Sequence, residues 1–352
     1  MKIPPALPTA SALVFPAAVS FAVTFALTPL VISVSSRLRI FDSPGPLKIH
    51  SRPVSRLGGL ALFAGFVAGA ALSPSVRQAF GGCAFYALAL LWLVGFLDDL
   101  RALPVAIRLA TQLAAASLIW LAGWRLPFPS AGWAAWLALI LFFMVFINAF
   151  NFLDGADGLA SGVSLVVGLG FSAAIWLSHA ALIPGSILSP CLALSCAAFL
   201  AFNFPPARIF LGDSGSTLLG FAFALLSLIL FADTNPSTSA GCLFPFFAAL
   251  LPLLDFFFAV FRRLRQGESP FSGDRRHFYD LLSARGWRAR RVAGVSAALT
   301  AALVMLGLFV REESRALAGG ILLVSAILFA ILGVRLGSAR AEDRGSPASE
   351  PE

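Results

Sequence analysis

Three acidic motifs lie at the ends of long apolar segments in this 352-residue chain. The first is the pair Asp98 and Asp99, the second is the run 148–158, and the third is the run 212–216. Carboxylates at membrane depth are costly, so they are rare unless they serve an ion pathway or a reaction. Several carboxylates in one place also need a cation nearby. The three motifs therefore predict one shared site that holds a metal ion.

The second motif spaces four polar side chains regularly, because Asn148, Asn151, Asp154 and Asp157 follow one another at every third residue. If this run is helical, residues three apart share a face. The glycine after each aspartate would also let the backbone approach a ligand closely. We therefore predict a polar stripe of two amides and two carboxylates that faces a ligand.

The third motif has a single carboxylate, Asp213, between two glycines, and Ser216 and Thr217 begin the next apolar segment. Ser and Thr cap helix N-termini, where the backbone amides also bind phosphate. Capping explains the hydroxyl groups but does not explain Asp213. Because carboxylate oxygen is a preferred ligand of Mg²⁺, we predict that Asp213 is a metal ligand.

The first motif and a fourth acidic position, Asp255, each have two interpretations. Asp98 and Asp99 are adjacent carboxylates, which suits either a magnesium site or a general base. Asp255 lies inside an apolar segment about two turns before Arg262 and Arg263. It is either a buried ion-pair partner of these arginines or a functional carboxylate.

Basic residues from separate segments could bind phosphate opposite the acidic motifs. Basic groups that face an acidic cluster suit a metal-bound polyphosphate, because the acids hold the metal and the bases hold phosphate oxygens. The candidates are Lys48, His50, Arg56, Arg208, Arg275, Arg276 and His277.

The composition places these motifs in a membrane protein. The chain is 59% hydrophobic and 12% charged, with a mean hydropathy of +0.89, whereas soluble domains carry about 25% charged residues. Apolar runs of about 18 residues or more recur, and each can cross a bilayer as a helix. We predict an all-α protein with eleven spans, near 11–35, 57–74, 81–97, 105–124, 132–150, 159–179, 184–204, 215–232, 241–261, 292–310 and 317–335.

The net charge of +8 reflects membrane topology and does not indicate nucleic-acid binding. With the N-terminus outside, five of the 25 Lys and Arg residues fall on the outer side and the other 20 on the inner side, as the positive-inside rule expects. We therefore predict one membrane domain over 1–335 and a disordered cytoplasmic tail over 336–352. The cytoplasmic loops are 36–56, 98–104, 151–158, 205–214 and 262–291.

The order of the motifs resembles the polyprenyl-phosphate N-acetylhexosamine-1-phosphate transferases, which begin bacterial cell-envelope glycan pathways. The relatives of this family include the phospho-N-acetylmuramoyl-pentapeptide transferases. The matching pieces extend over about residues 40–290, so the resemblance covers most of the chain. They are the runs 41–44, 48–50, 56–59, 98–101, 148–158, 202–216 and 274–277.

The resemblance implies a Mg²⁺-dependent enzyme of the bacterial inner membrane, with Mn²⁺ as an alternative metal. It would transfer an N-acetylhexosamine 1-phosphate, N-acetylglucosamine 1-phosphate being favoured, from a UDP-sugar to undecaprenyl phosphate on the cytoplasmic face. Surrounding membrane lipid is a further partner, and the resemblance allows a homodimer. By analogy Asp213 holds the metal near Asn151 and Asn203, and Asp98 and Asp99 meet the lipid phosphate. Asp154 and Asp157 contact the nucleotide sugar, and His277 and Arg276 contact its diphosphate.

Two departures argue against the pentapeptide-transferring branch. That branch has a lysine four residues after the first aspartate of the pair, where this chain has Ala102. The paired histidines of that branch are also missing: many sugar-transferring members read His-x-His-His where this chain reads His277 followed by Phe, Tyr and Asp280. Because this loop is expected to read the donor, the sequence leaves the identity of the sugar open.

Two other classes of protein also place carboxylates at membranes. CDP-alcohol phosphatidyltransferases use aspartates and Mg²⁺, but the run 154–161 lacks their arginine and their later acids. Cation-coupled or proton-coupled transporters keep carboxylates near the bilayer midplane. Here nearly all of the acids lie at one edge, so the enzyme is the favoured interpretation.

Overall fold

The computed structural model describes residues 10–42, 53–80, 82–127, 132–178, 183–233 and 240–345. The described residues are mainly helical. The β contacts among them are isolated bridges, one of which joins Ser55 to Ile209. Short 3₁₀ turns occur at Ala240–Leu243 and Val310–Glu312. The helices are α1 (Ala10–Leu38), α2 (Gly58–Ala70), α3 (Pro74–Phe80), α4 (Cys83–Leu100), α5 (Val105–Leu121), α6 (Gly132–Leu153), α7 (Leu159–Leu177), α8 (Ile183–Asn203), α9 (Gly212–Asp233), α10 (Phe244–Ala248), α11 (Leu250–Arg265), α12 (Phe278–Ala284), α13 (Ala289–Phe309) and α14 (Arg315–Gly345).

Among the described residues, eight helices are long and apolar enough to cross a membrane. The count rises to nine if the bent pair Gly241–Ala248 and Leu250–Arg265 forms one span. Two further predicted spans coincide with the shorter apolar helices α2 and α5, which have 13 and 17 residues. The prediction of an all-α protein with several membrane spans is therefore confirmed.

The bent pair replaces the straight span predicted over 241–261. α10 and α11 meet at 64°, and Ala249 between them leaves the helical conformation. Pro252 lies four residues after Ala248, and a proline ring clashes with the carbonyl group four residues earlier. The break between the helices follows from this clash.

α9 is the central helix and is almost wholly buried. It packs against α2, α4 and α6. Aromatic rings fill the contact between α6 and α9. Phe143 packs against Phe221 with ring centroids 5.2 Å apart, and Phe150 packs against Phe223 with centroids 4.8 Å apart. Close packing of this kind holds helices together in membranes, where lipid is as apolar as the side chains. The N-terminus of α9 is therefore held in a fixed position by its neighbours.

The last helix continues beyond the expected end of the membrane domain. We predicted disorder from residue 336, but α14 extends to Gly345. The added residues include alanine, arginine and glutamate, which are good helix formers. They also extend an existing helix and so avoid the cost of nucleation. Residues 346–352 lie outside the described ranges.

Candidate active site

The three acidic motifs meet at one end of the helix bundle. The C-terminal end of α4 reaches the start of α9 through Asp99, and the C-terminal end of α6 reaches it through Asn151. The N-terminal end of α2 is held beside the same point, because the amide of Gly59 donates to the carbonyl oxygen of Leu211 at 2.8 Å. Residues far apart in sequence therefore surround Asp213.

Asp99 caps α9 from outside that helix. Its carboxylate accepts hydrogen bonds from the backbone amides of Asp213 (2.7 Å) and Ser214 (3.0 Å), and from the Ser214 hydroxyl group (2.6 Å). Helix N-termini leave unpaired amides that favour negative charge. The Asp99 side chain has no solvent exposure, so its described contacts position Asp213.

Asp98 points into a different environment from Asp99. It lines a partly open cavity with an empty volume of about 590 Å³. Its carboxylate accepts a hydrogen bond from the amide of Leu103 at 2.5 Å and lies 3.4 Å from the Arg108 guanidinium group. Neighbouring residues on a helix face different directions, which explains why this adjacent pair has two roles.

Asp213 lines the same cavity, opposite Asp98. Asn151 donates to its carboxylate at 2.7 Å and to the Ser216 hydroxyl group at 2.9 Å. The Arg56 guanidinium group lies 3.4 Å from Asp213 and 3.7 Å from Asp99. Burial lowers the pKa of Arg56, but the nearby carboxylates outweigh burial and raise it, so Arg56 remains a cation beside Asp213.

Polar residues of α5 that were not among the predicted site residues also line the cavity. Thr111 and Gln112 lie there together with Arg108. Gln112 and Asn148 exchange amide hydrogen bonds, the shorter of which runs from Asn148 to Gln112 at 2.7 Å. The signal was present in the sequence, because residues 108, 111 and 112 form a polar patch on one face of an apolar helix. Together these residues give the cavity a polar wall.

Asp154 and Asp157 hold a loop instead of forming a helical stripe. α6 ends at Leu153, and residues 154–158 form turns that end at Gly158, whose φ is +70°. Asp154 accepts a hydrogen bond from the amide of Gly212 at 3.1 Å, and Asp157 accepts one from the amide of Ala207 at 2.9 Å. Burial raises the pKa of Asp154 well above its usual value of 3.8, and the charge of Asp213 raises it further. The prediction of a helical stripe over these two aspartates is wrong, because the glycines end the helix.

Asn203 and Arg208 do not line the cavity. The buried Asn203 amide accepts hydrogen bonds from Ser161 (2.7 Å) and Gly158 (3.1 Å) and donates to the carbonyl oxygen of Ile209 (2.8 Å). The exposed Arg208 side chain donates to the carbonyl oxygen of Ala201 at 3.3 Å. These contacts make both residues part of the support of the α8–α9 loop.

Glycines allow α2 and α4 to approach α9 closely. A Cβ atom on Gly59 would lie 2.2 Å from the Ser214 hydroxyl oxygen, and one on Gly95 would lie 2.7 Å from the Ser214 Cα atom. Gly212 has a φ of +76°, and a Cβ atom there would lie 2.6 Å from an Asp99 oxygen. The glycines of the motifs therefore have a packing function at the base of the site.

Replacing Gly59 by alanine should destabilise the protein. The added methyl group has no room, and overpacking of this kind costs about 1–3 kcal/mol. Thermal unfolding in detergent should show a lower Tm for Gly59→Ala. Gly294→Ala is the matched control, because a Cβ atom there meets nothing within 4 Å and alanine favours helix. An unchanged Tm for Gly59→Ala would contradict this account of the packing.

His277 belongs to a buried polar network behind the cavity. Its Nδ1 atom lies 2.7 Å from Asp255, and its Nε2 atom lies 3.5 Å from Arg263 and 3.7 Å from Asp274. The ring of Phe152 packs against His277 at 5.6 Å and itself lines the cavity. Phe152 therefore lies between His277 and the cavity.

Asp255 has a different partner from the one that its sequence position suggested. Its carboxylate pairs with His277 and accepts a hydrogen bond from the amide of Phe278 at 2.8 Å. Arg262 and Arg263 instead pair with Asp274, at 2.6 Å and 3.4 Å. The chain turns back after α11, so the loop supplies partners that the local sequence could not reveal.

The stability supplied by His277 should depend on pH. Burial lowers its pKa, but Asp255, Asp274 and Asp280 outweigh burial and raise it above the usual 6.5. Because the pKa of His277 is higher in the folded protein than in the unfolded chain, its stabilisation is complete below about pH 6.5. This stabilisation is lost as the pH rises through the pKa of the folded protein. Thermal unfolding at several pH values should give wild type a higher Tm than His277→Gln, and the difference should be largest at low pH. A Tm difference that is independent of pH would contradict this assignment.

The other basic candidates are not brought to the cavity. Arg276 is exposed, and Arg275 lies 3.9 Å from Asp280. Lys48 and His50 lie outside the described residues. Arg56 and Arg108 are therefore the basic side chains that the described structure places beside Asp98, Asp99 and Asp213.

The arrangement of Asp98 and Asp213 fits a magnesium ion. Within the described residues, no group of three or more His, Cys, Asp and Glu side chains is positioned to hold a metal. Mg²⁺ is commonly bound through one or two carboxylates together with water and substrate phosphates. The carboxylates of Asp98 and Asp213 line one cavity. Two such carboxylates repel unless a cation or a proton lies between them.

Comparison with known proteins identifies relatives that match about three quarters of the chain. A family model described as glycosyl transferase family 4 matches residues 82–231, which contain all three acidic motifs. The chain is 32% identical over 278 residues to a probable undecaprenyl-phosphate N-acetylglucosaminyl 1-phosphate transferase of Bacillus subtilis (strain 168), with 76% of each chain covered. It is 30% identical over 304 residues to a decaprenyl-phosphate N-acetylglucosaminephosphotransferase of Mycobacterium tuberculosis (strain ATCC 25618 / H37Rv), covering 77% of this chain and 75% of the relative.

A third relative supports the same family. The undecaprenyl-phosphate alpha-N-acetylglucosaminyl 1-phosphate transferase of Escherichia coli (strain K12) is 29% identical over 303 residues, covering 77% of this chain and 76% of the relative. Each of these alignments extends over about three quarters of both proteins, so the likeness is not confined to one motif. The chain therefore belongs to glycosyl transferase family 4, among the polyprenyl-phosphate N-acetylhexosamine-1-phosphate transferases, and is a membrane enzyme that transfers sugar phosphate.

Proposed function

We propose that this enzyme transfers N-acetylglucosamine 1-phosphate from UDP-N-acetylglucosamine to undecaprenyl phosphate, which yields undecaprenyl-diphosphate N-acetylglucosamine and UMP. The names of the relatives supply the acceptor class and the sugar phosphate. One structural observation supports the proposal most directly. Asp98 and Asp213, from distant motifs, face one cavity that is flanked by Arg108 and Arg56.

The location of the cavity suits a lipid acceptor. It lies at the ends of α4, α6 and α9, where an acceptor phosphate at the membrane surface meets a soluble donor. Its wall combines the polar residues described above with Leu91, Val94, Val105 and Leu109. A mixed wall of this kind can hold a phosphate at its polar side and adjoin lipid at its apolar side.

In the proposed reaction an oxygen of the lipid phosphate forms a bond to the phosphorus atom that bears the sugar. The bond from that phosphorus to the oxygen retained by UMP breaks. Asp98 accepts the proton of the acceptor phosphate, and Arg108 and Arg56 attract the phosphate oxygens. Phosphoryl transfer needs mainly positioning and charge neutralisation, and these residues supply both.

We assign a divalent cation, Mg²⁺ or alternatively Mn²⁺, to Asp213, and Asp98 beside it is the proton acceptor. When bound, the ion neutralises phosphate charge and orients the reacting groups. Asn151 and Asp99 act on Asp213 and not on the ion: Asn151 fixes one oxygen of its carboxylate, and Asp99 fixes its backbone amide.

We further propose that the site faces the cytoplasm of a bacterial inner membrane. α2, α5 and the bent pair would join the eight long helices, which gives eleven spans with the N-terminus outside and the C-terminus inside. The uneven distribution of lysine and arginine supports this orientation, and a UDP-sugar donor would reach the site from the cytoplasm.

Release of UMP by the purified enzyme tests the proposal. The protein in detergent is incubated with UDP-N-acetylglucosamine, undecaprenyl phosphate and Mg²⁺, and UMP is measured with time. We expect release that requires both the lipid and the metal and that stops when EDTA is added. Release without lipid would indicate hydrolysis, and an absence of release from every UDP-sugar in a panel would overturn the proposed donor.

A further inference from the structure

A cluster of arginines lies beside the start of α13, away from the cavity. Arg285, Arg288, Arg290 and Arg291 are all exposed, and we call them the arginine surface. Within the described part of the chain, none of the four forms an ion pair with a carboxylate. Arg291 stacks on the half-buried ring of Trp287, with the guanidinium carbon 4.0 Å from the ring centroid. The cluster therefore combines uncompensated positive charge with an aromatic side chain.

This charge lies where a helix would favour the opposite sign. The N-terminus of α13 carries a partial positive charge, and acidic residues are preferred there. The first turn of α13 contains no acidic residue and instead contains arginines. An anion supplied from outside the chain would compensate both the arginines and the helix end.

The chemistry of the cluster is that of a membrane surface. α13 begins a segment, Ala289–Glu312, that is long and apolar enough to span a membrane, so the arginines lie where the span leaves it. Tryptophan is enriched at this depth, and clustered arginines at a membrane surface attract anionic lipid headgroups. Arginine also matches the geometry of phosphate oxygens better than lysine does.

The arginine surface is connected to the loop that supports the active site. The Nε atom of Arg290 donates a hydrogen bond to the carbonyl oxygen of Pro205 at 2.8 Å. Pro205 begins the segment whose Ala207 and Gly212 amides are bound by Asp157 and Asp154. The arginine surface therefore includes one residue, Arg290, that braces this loop.

We propose that the arginine surface binds the phosphate group of an anionic phospholipid of the surrounding membrane. Arg288 and Arg291 supply charge to the headgroup, and Trp287 packs beside the lipid at the headgroup level. Arg290 connects the bound lipid to the α8–α9 loop. The site is distinct from the cavity and requires neither the sugar donor nor the polyprenyl acceptor.

Native mass spectrometry of the full-length protein in detergent tests this assignment without any substrate. Phosphatidylglycerol and phosphatidylcholine are titrated separately, and the dissociation constant of the first bound lipid is measured. Wild type should prefer phosphatidylglycerol, and Arg288→Gln/Arg291→Gln should weaken its binding by about tenfold or more while phosphatidylcholine binding stays unchanged. Equal phosphatidylglycerol binding by wild type and the double variant would overturn the proposal.

Two controls separate the alternatives. Arg77→Gln/Arg125→Gln removes the same charge at the opposite end of the bundle and should leave phosphatidylglycerol binding unchanged. Soluble glycerol 3-phosphate should not displace the lipid, because it lacks the acyl chains. Displacement at similar concentrations would show a site for free phosphate and would overturn the assignment to lipid. Because these measurements omit donor and acceptor, their outcome is independent of the proposed transferase reaction.

Discussion

Replacing Asp213 by asparagine is expected to reduce UMP release by on the order of 10³-fold or more. Asparagine keeps the size of the side chain but removes the charge that Asp213 shares with Asp98 in the cavity. The loss should persist at saturating Mg²⁺, because the amide is a poor substitute for a carboxylate ligand. Activity near that of wild type under those conditions would exclude Asp213 as the metal ligand.

The fold of Asp213→Asn should remain intact, which makes the result interpretable. The backbone amide of residue 213 still donates to Asp99, so the start of α9 keeps its cap. Thermal unfolding should therefore give a Tm close to that of wild type. Glu312→Gln provides the matched control, because it makes the same change of carboxylate to amide at an exposed position at the far end of α13.

Asp98→Asn and Asp99→Asn are expected to impair the enzyme in different ways. Asp98→Asn should reduce kcat by on the order of 10²–10⁴-fold with little change in Tm, because its remaining oxygen still accepts from the Leu103 amide. Asp99→Asn should cost about 2–3 kcal/mol of stability. Its carboxylate accepts from three donors, and an amide would turn an N–H group towards at least one of them.

Parallel measurement of kcat and Tm distinguishes these two roles. Asp99→Asn should lose activity as well, since a displaced α9 N-terminus misplaces Asp213. Its loss of activity should accompany a lower Tm, whereas that of Asp98→Asn should not. A lower Tm for Asp98→Asn together with an unchanged Tm for Asp99→Asn would reverse the assignment.

The sequence predicted the assembly of the site better than the role of each residue. Apolar segments of membrane length alternate with the acidic motifs, and this alternation alone brings Asp98, Asp154 and Asp213 to one end of the bundle. The sequence could not separate Asp98 from Asp99. Both lie in the last turn of α4, and their roles depend on which side of that helix α9 occupies.

Other details depended on contacts that the local sequence does not contain. The partner of Asp255 is His277, which returns to α11 after a loop. The spacing of Asp154 and Asp157 suggested a helical face, but Gly158 adopts a left-handed conformation and the run forms turns. Gln112 was missed because an amide within an apolar helix carries no charge, and its reciprocal pairing with Asn148 is visible only in three dimensions.

The central position of α9 also bears on the order in which the protein is made. The ribosome delivers the chain from its N-terminus, and the residues that line the cavity lie between Leu91 and Thr217, apart from Phe271. Nearly the whole cavity can therefore form once α9 has entered the membrane, before the helices that follow α9 have joined the bundle. Of the residues that line the cavity, Phe271 is the last to be synthesised. The nascent enzyme therefore passes through a stage in which the cavity has formed but is still open on the side that Phe271 covers.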